Sequence, residues 1–363
     1  MSELRKILEL WRSARDHREE ICLATIVGVE GSSYRKPGAR MLLTSGGGRA
    51  GTISGGCFEK EVQKKAWWLT ESGATVQTYS TFVEEDSEIP YGLGCGGTVS
   101  VLLERGEPAH CTLAALEQTT KRRAAMAIVY VIDAHSSESV GCRLILSENG
   151  DVLFEPAASE SSLVLARHGL SERRSLWTQG VKSFFVDYVA PPTALVVFGA
   201  GDDAQPLVEF AYMLGWQVTV VDGRSDLATK ERFPLADEVA CVPSFEELAL
   251  TERRAAVILT HSYEQDRAVL RALLPRDLAY IGILGPRRRT ERLLTEIAPQ
   301  IDRTVEDCFS RLHSPVGLTI GARNPASIAL AIIAEIHAVV EKSGEKTQER
   351  IPVTPCLTLR AQL

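Results

Sequence analysis

Two cysteines sit inside glycine-rich turns. Cys57 follows Gly55 and Gly56 in "GTISGGCFEKEV" and precedes a stretch whose Phe58, Val62, Ala66 and Leu69 share one face at helical spacing. A thiol at a helix start meets the positive end of the helix dipole and unpaired backbone N–H groups, and both favour thiolate. Glu59 and Glu61 in the first turn act the other way, so the net shift stays open at this level. Cys95 lies in "YGLGCGGTV", between Gly94 and Gly96. Either cysteine alone reads as a small buried residue at a tight turn. Two together point to a ligand that approaches the backbone closely and meets sulfur. Ser54 joins the two glycines as a candidate cofactor contact, and "GSSYRKPGARM" adds Arg35, Lys36 and Arg40 around a Pro-Gly turn, with Ser32 and Ser33 as donors. Those cations suit an anionic ligand; a solvated loop is the alternative.

A second group lies further along the chain. "VVFGAGDDA" places Gly199, Gly201 and Ala204 between a hydrophobic strand and a helix, and Asp222 ends the next strand. This is the dinucleotide fingerprint in context: glycines for the turn, a helix start for pyrophosphate, an acid for the ribose hydroxyls. Asp202 and Asp203 would repel phosphate at that loop, so a scaffold whose two aspartates cap the helix is the competing reading. In "ILGPRRRTERLL", Pro286 suits a first helical turn, and Arg287, Arg288 and Arg289 follow it. Three cations there need an anion, a solvated face or ion-pair partners. Thr260, His261 and Ser262, and likewise His313 and Ser314, fall in loops that follow strands, as general base, polar contact or structural residues.

The elements that must position these residues follow from periodicity. Residues 2–19 read as a helix, "ICLATIVGVEG" as a buried strand, "ARMLLTSGGGRAGTISGG" as a hairpin, and "CRLILSENGDVLFE" as a hairpin turning at Asn149-Gly150. Residues 157–178 read as polar, helical or irregular. After Pro191-Pro192 the rhythm becomes strand, helix, strand, which argues for a doubly wound parallel sheet. The fold class expected is therefore α/β, with an N-terminal mixed α+β domain (1–190), a Rossmann-like domain (191–343) and an extended C-terminal tail (344–363).

Composition narrows the function. The net charge is -7 with no long basic block, which argues against nucleic-acid binding. No apolar run approaches the roughly 20 residues of a membrane span, and the charged N-terminus lacks an apolar signal core, so a cytoplasmic protein is expected. Eight scattered cysteines without a Cys-x-x-Cys argue against a disulfide framework or structural zinc. No Walker loop, nucleophile elbow or paired-carboxylate signature occurs.

Taken together, "VEGSSYRKPGARM", "GTISGGCFEKEV", "GLGCGGTV", "FGAGDDAQPLVEFAYMLGWQVTVVDGR", "THSYEQDRAVLRALL", "YIGILGPRRRTERL" and "HSPVGLTIGARNPASIALAIIAEI" resemble the xanthine dehydrogenase accessory factor family of the XdhC/CoxI type, from about residue 20 to 340. The resemblance implies a chaperone rather than a catalyst, one that binds and protects molybdenum cofactor (molybdopterin). Such a protein hands it to an apo molybdenum hydroxylase such as xanthine or CO dehydrogenase. It implies Cys57 as the thiol at the cofactor and its metal, with Cys95 a second contact, and a cysteine-desulfurase-type sulfur donor as a further partner. The cofactor's phosphate, pterin edges and soft metal call for Arg or Lys, backbone N–H groups and thiolate. Asp202 departs from the histidine common at that position in the family, which puts phosphate binding at the second glycine loop in doubt. Two alternatives stand beside this reading: an NAD(P)-dependent oxidoreductase using Gly199, Gly201, Asp222 and His261, and a thiol redox protein pairing Cys57 with Cys95. A homodimer is expected because two-fold dimers dominate among soluble oligomers.

Overall fold

The structure is a computed structural model that describes residues 2–56, 58–80, 97–133, 140–154, 160–179, 183–242, 255–342 and 351–352. Cys57, and the segment carrying Gly94, Cys95 and Gly96, lie outside the described residues. Contacts divide the chain into two compact units, Glu3–Pro191 with Lys346–Leu363, and Pro192–Glu345 with Met1–Ser2.

The first unit runs α1 (Glu3–Asp16), β1 (Ile21–Gly31), β2 (Arg40–Thr44), β3 (Arg49–Gly51), α2 (Glu59–Leu69), β4 (Thr75–Ser80), β5 (Gly97–Arg105) and α3 (Glu107–Arg122). It continues with β6 (Met126–Asp133), β7 (Arg143–Ser147), β8 (Val152–Phe154), α4 (Glu160–Glu172), β9 (Leu176–Gln179) and β10 (Ser183–Val189). Strands β3-β2-β1-β5-β4 form one antiparallel sheet. Its Cys22, Ala24, Ile26 and Val101 pack against Val62 and Ala66 of α2, the period-2 and period-3.6 stripes meeting as their sequence spacing requires. From neighbouring positions, Val27 and Leu102 meet Met126, Ile128 and Phe185 of a second antiparallel sheet, β9-β10-β6-β7-β8.

Two interior ion pairs join these sheets. Arg40 on β2 meets Asp187 on β10, and Glu104 on β5 meets Arg143 on β7. Arg143 also donates to the Pro108 carbonyl at 2.8 Å and lies over the buried Tyr130 ring, with its guanidinium carbon 5.4 Å from the centroid. Buried charges persist only when paired and hydrogen-bonded, and here they are.

Residues 157–178 resolve into two elements that periodicity blurred. Helix α4 fully buries only the small Ser162, Ala166 and Gly169, while Leu163, Leu165 and Leu170 pack half-buried beside them. Strand β9 has four residues, too few for a visible alternation.

The second unit comprises β11 (Ala194–Phe198), α5 (Ala204–Leu214), β12 (Gln217–Asp222), β13 (Glu238–Cys241), β14 (Ala255–Ile258), α6 (Tyr263–Leu273), β15 (Tyr280–Ile283), α7 (Arg287–Ile297), α8 (Val305–Ser310) and α9 (Pro325–Lys342). The parallel sheet has the order β13-β12-β11-β14-β15. Leu195 and Val197 face α5 and α9, whereas Val196 and Phe198 face α6 and α7. That is the doubly wound architecture expected, buried on both faces. In the tail, β16 (Ile351–Pro352) adds to β9 of the first unit. No helix among the described residues is long and apolar enough to cross a membrane.

Candidate functional site

Three sequence motifs of the first unit meet at one end of its first sheet. Gly31 pairs with Gly97, the first residue of β5 and two positions beyond Cys95. A Cβ on Gly97 would run into the carbonyl of Ser32, so that approach requires glycine. Tyr34 stands over Gly55, its ring 3.9 Å from where a Cβ would project. Phe58 stacks on Tyr79 of β4, centroids 4.9 Å apart, fixing the residue that follows Cys57. The "GSSYRKPG" and "SGGC" turns and the start of β5 are thus neighbours although up to 66 residues separate Gly31 from Gly97.

Gly56 has a φ of +103°, a conformation L-residues rarely adopt, and among the described residues beyond its chain neighbours no atom lies within 4 Å of its missing Cβ. Helix α2 begins behind it with Phe58 as N-cap and no side-chain cap. Its first-turn N–H groups therefore lack the usual side-chain acceptor. The two acids that would oppose a thiolate are both engaged. Glu59 is buried and accepts from the Ser54 hydroxyl and, at 2.8 Å, from the Ser54 N–H, while Glu61 takes Lys65 at 2.7 Å. Ser54 in turn accepts from the Gly56 N–H at 3.2 Å.

The expected cations behave differently from the sequence reading. Arg40 is buried on Asp187, and Arg35 pairs with Glu3 of α1. Arg40 therefore offers no charge to a ligand at the α2 turn, because burial made an internal counter-ion obligatory. Arg35, about one-third exposed, is held by a carboxylate that also binds Thr52 at 2.8 Å.

In the second unit the glycine loop forms as expected, with Gly199 at φ +113° and its absent Cβ only 2.5 Å from the Leu259 carbonyl. Gly201, in contrast, has nothing within 4 Å of its Cβ position. The acid meant for ribose is occupied. Asp222 accepts from the Ala200 N–H at 2.7 Å and from the Arg224 N–H, Nε and Nη2 at 2.9, 2.9 and 2.7 Å. Four donors fill the four acceptor positions of a carboxylate. Burial raises the Asp222 pKa, but the bonds from Arg224 and Ala200 outweigh it and hold the group below the usual carboxylate range.

The two loop aspartates do not cap α5. Asp203 makes no side-chain cap bond and instead meets His261 Nε2 at 2.9 Å; Asp202 pairs with Arg232 at 2.8 Å. His261 holds a left-handed φ of +57° in a loop where ligands gather in such folds. The arginine run splits as well. Arg287 pairs with Glu291 at 3.0 Å and lies on the Phe309 ring, Arg289 pairs with buried Asp266, and Arg288 is exposed. Sequence reading missed Asp266 and Glu335. Asp266 is the acid six residues after Thr260, whose hydroxyl bonds it at 2.5 Å. Glu335, on α9, accepts from Tyr280, meets His313 at 3.2 Å and takes the Gly317 N–H at 2.8 Å. The available signals were an acid in the first turn of the helix after Thr260 and a single acid within the apolar stretch "ALAIIAEIHAVV". Among the described residues no group of three or more His, Cys, Asp or Glu is arranged to hold a metal.

A glycine-cysteine unit followed by a β13-β12-β11-β14-β15 parallel sheet defines a two-unit α/β protein with a Rossmann second half. The XdhC and CoxI family profile matches residues 14–80, and that of the XdhC Rossmann domain residues 195–336. A probable xanthine dehydrogenase subunit of Bacillus subtilis (strain 168) is 35% identical over 336 residues, 88% of this chain and 93% of that one. The molybdenum cofactor insertion chaperone PaoD of Escherichia coli K12 is 24% identical over 326 residues, 87% and 82% of the two chains. A crystal structure described as a xanthine dehydrogenase from Bacillus halodurans superposes with a TM-score of 0.75 at 31% identity, covering 94% of this chain and 96% of that one. The chain belongs to the XdhC and CoxI family.

Proposed function

We propose that this protein is a maturation factor for a molybdenum hydroxylase of the xanthine or CO dehydrogenase type, which binds molybdenum cofactor, protects it and delivers it to the apo-enzyme. The observation that carries the reading is the turn at Gly56. It combines a glycine-only backbone, open space and an uncapped helix start beside Cys57, in a chain related over most of its length to a cofactor insertion chaperone. The cofactor brings a soft metal and a phosphate-bearing pterin. Cys57 would meet the metal side, and the α2 N–H groups would meet anionic oxygen. Glu59 is engaged by Ser54. Cys95, between Gly94 and Gly96, would be a second contact. A desulfurase-type sulfur donor and a homodimer complete the proposal. Arg40 is left out of it, as an interior residue.

The test is the molybdenum and pterin content of protein purified without oxygen from a host that makes the cofactor, parent and Cys57→Ala side by side. Cofactor on the parent and little on the variant is the expected result. Equal loading of both would remove Cys57 from the site, and none on either, with a loaded control molybdoprotein, would overturn the carrier reading.

A further inference from the structure

The first unit contains a cavity of about 330 Å³ between its two sheets, a size at the lower end of small-molecule sites, which run from about 300 to 1,000 Å³. Its shape follows from two facing strand pairs. On the first sheet Gly28 lies opposite Ser100, and on the second Trp177 lies opposite Phe185. A glycine-serine pair facing two aromatic side chains leaves room that four ordinary strand residues would fill. A Cβ on Gly28 would stand 3.4 Å from the Ser100 Cβ and 3.9 Å from the Trp177 Nε1, so it would project into that space. Trp177 and Phe185 offer flat apolar surfaces, and stacking is strongest with a flat partner.

The polar side of the cavity is as specific. Thr78, Thr98, Ser100 and Ser175 contribute hydroxyls, and Glu30 is the one ionisable group among the described lining residues. With no cation among them, a phosphate or carboxylate would meet repulsion there and no counter-charge. A carboxylate pairs best with two parallel N–H donors in one plane, and it keeps acceptor positions for them beside a bond it already makes. Hydroxyls rotate to serve ring nitrogens and a ring carbonyl alike.

We infer that this cavity binds a planar bicyclic heterocycle through a 2-amino-4-oxopyrimidine edge, held flat by Trp177 and Phe185 and by its amino edge at Glu30. Pterins and guanine share that edge. The pterin source rests on the proposed carrier function; the guanine source does not.

Isothermal titration of the full-length protein, freed of cofactor, uses pterin, lumazine and guanosine as probes. Lumazine is pterin with the amino group replaced by oxygen. Saturable binding of pterin, at least about tenfold weaker binding of lumazine (about 1.4 kcal/mol), and loss of that preference in Glu30→Gln are expected. Gly28→Val and Ser100→Val, each filling the cavity from a different strand, are expected to weaken pterin binding by tenfold or more with unchanged circular dichroism. Guanosine binding without pterin binding, lost in the same variants, would uphold the cavity and assign it the guanine source. Absence of saturable binding by any probe, or binding unaltered in a filled variant that keeps its fold, would overturn the inference. If neither filled variant folds, the pterin-to-lumazine ratio in parent and Glu30→Gln decides. The carrier reading fails separately. Cofactor retained by purified Gly28→Val that takes up no free pterin upholds the cavity as a pterin site and overturns it as the seat of the cargo, whereas free pterin bound by a parent that never carries cofactor sinks the carrier alone.

Discussion

The two units treat charge in opposite ways. The first keeps its strongest ion pairs inside, Arg40 with Asp187 and Arg143 with Glu104, and leaves the turn at Gly56 uncapped and open. The second sets several of its pairs along the loops that follow its strands, where Arg224 covers Asp222, Arg232 holds Asp202 and His261 holds Asp203. The same glycine-loop logic therefore ends in different chemistry. In the first unit these pairs lie between the sheets, and α2 starts without a side-chain cap. In the second, the residues a nucleotide would use are bound to one another.

The sharpest way to break this comparison is to disturb the interior pairs. Arg143→Met leaves Glu104 without its counter-ion in a fully buried position, and breaking such a pair costs about 3–5 kcal/mol. Chemical denaturation of the full chain should show that loss in the first unit, with the transition of the second unit unmoved. Gly56→Val is next. Forcing a branched residue to φ +103° costs about 1–3 kcal/mol and closes the open turn, so the purified variant should lose molybdenum and pterin while remaining folded.

A third change sharpens the contrast from the other side. Arg224→Ala removes two of the four donors on Asp222 and is expected to strengthen NAD+ binding by about tenfold, or about 1.4 kcal/mol, in a titration against the parent. An unchanged affinity would show that the occupied carboxylate is not what disfavours the nucleotide. A fourth change concerns pH. Burial pushes the Cys22 thiol up from 9.0 to about 12. The folded chain keeps that proton where the unfolded chain releases it. The contribution is intact below pH 9 and is lost as pH rises toward the folded value, by about 1.4 kcal/mol per pH unit. The stability difference between parent and Cys22→Ala should therefore narrow above pH 9.

Much of the scaffold was legible in local pattern. Asn149-Gly150 marked its hairpin, and the strand–helix rhythm after Pro192 gave the parallel sheet. The glycine turns pointed to a helix start that the structure leaves uncapped. What local pattern could not reveal were partners. Arg40 looked like a ligand cation because Asp187, 147 residues away, carries no mark that it lies opposite. Asp222 looked available because an arginine two residues later reads as an ordinary turn residue, and only the curl of that turn returns it to the carboxylate. The cavity was invisible for the same reason. Gly28 within a strand, and Trp177 in a stretch with little periodicity, mean nothing until two sheets bring them together.

The interior ion pairs also bear on how the first unit assembles. Two sheets with mostly aliphatic inner faces can slide into contact in several offsets at nearly equal energy. Shifting one strand position would turn Arg40 and Asp187, or Arg143 and Glu104, away from each other and strand them in the interior. The pairs are therefore expected to act as a proofreading step in docking, rejecting misaligned sheets before the core closes over them.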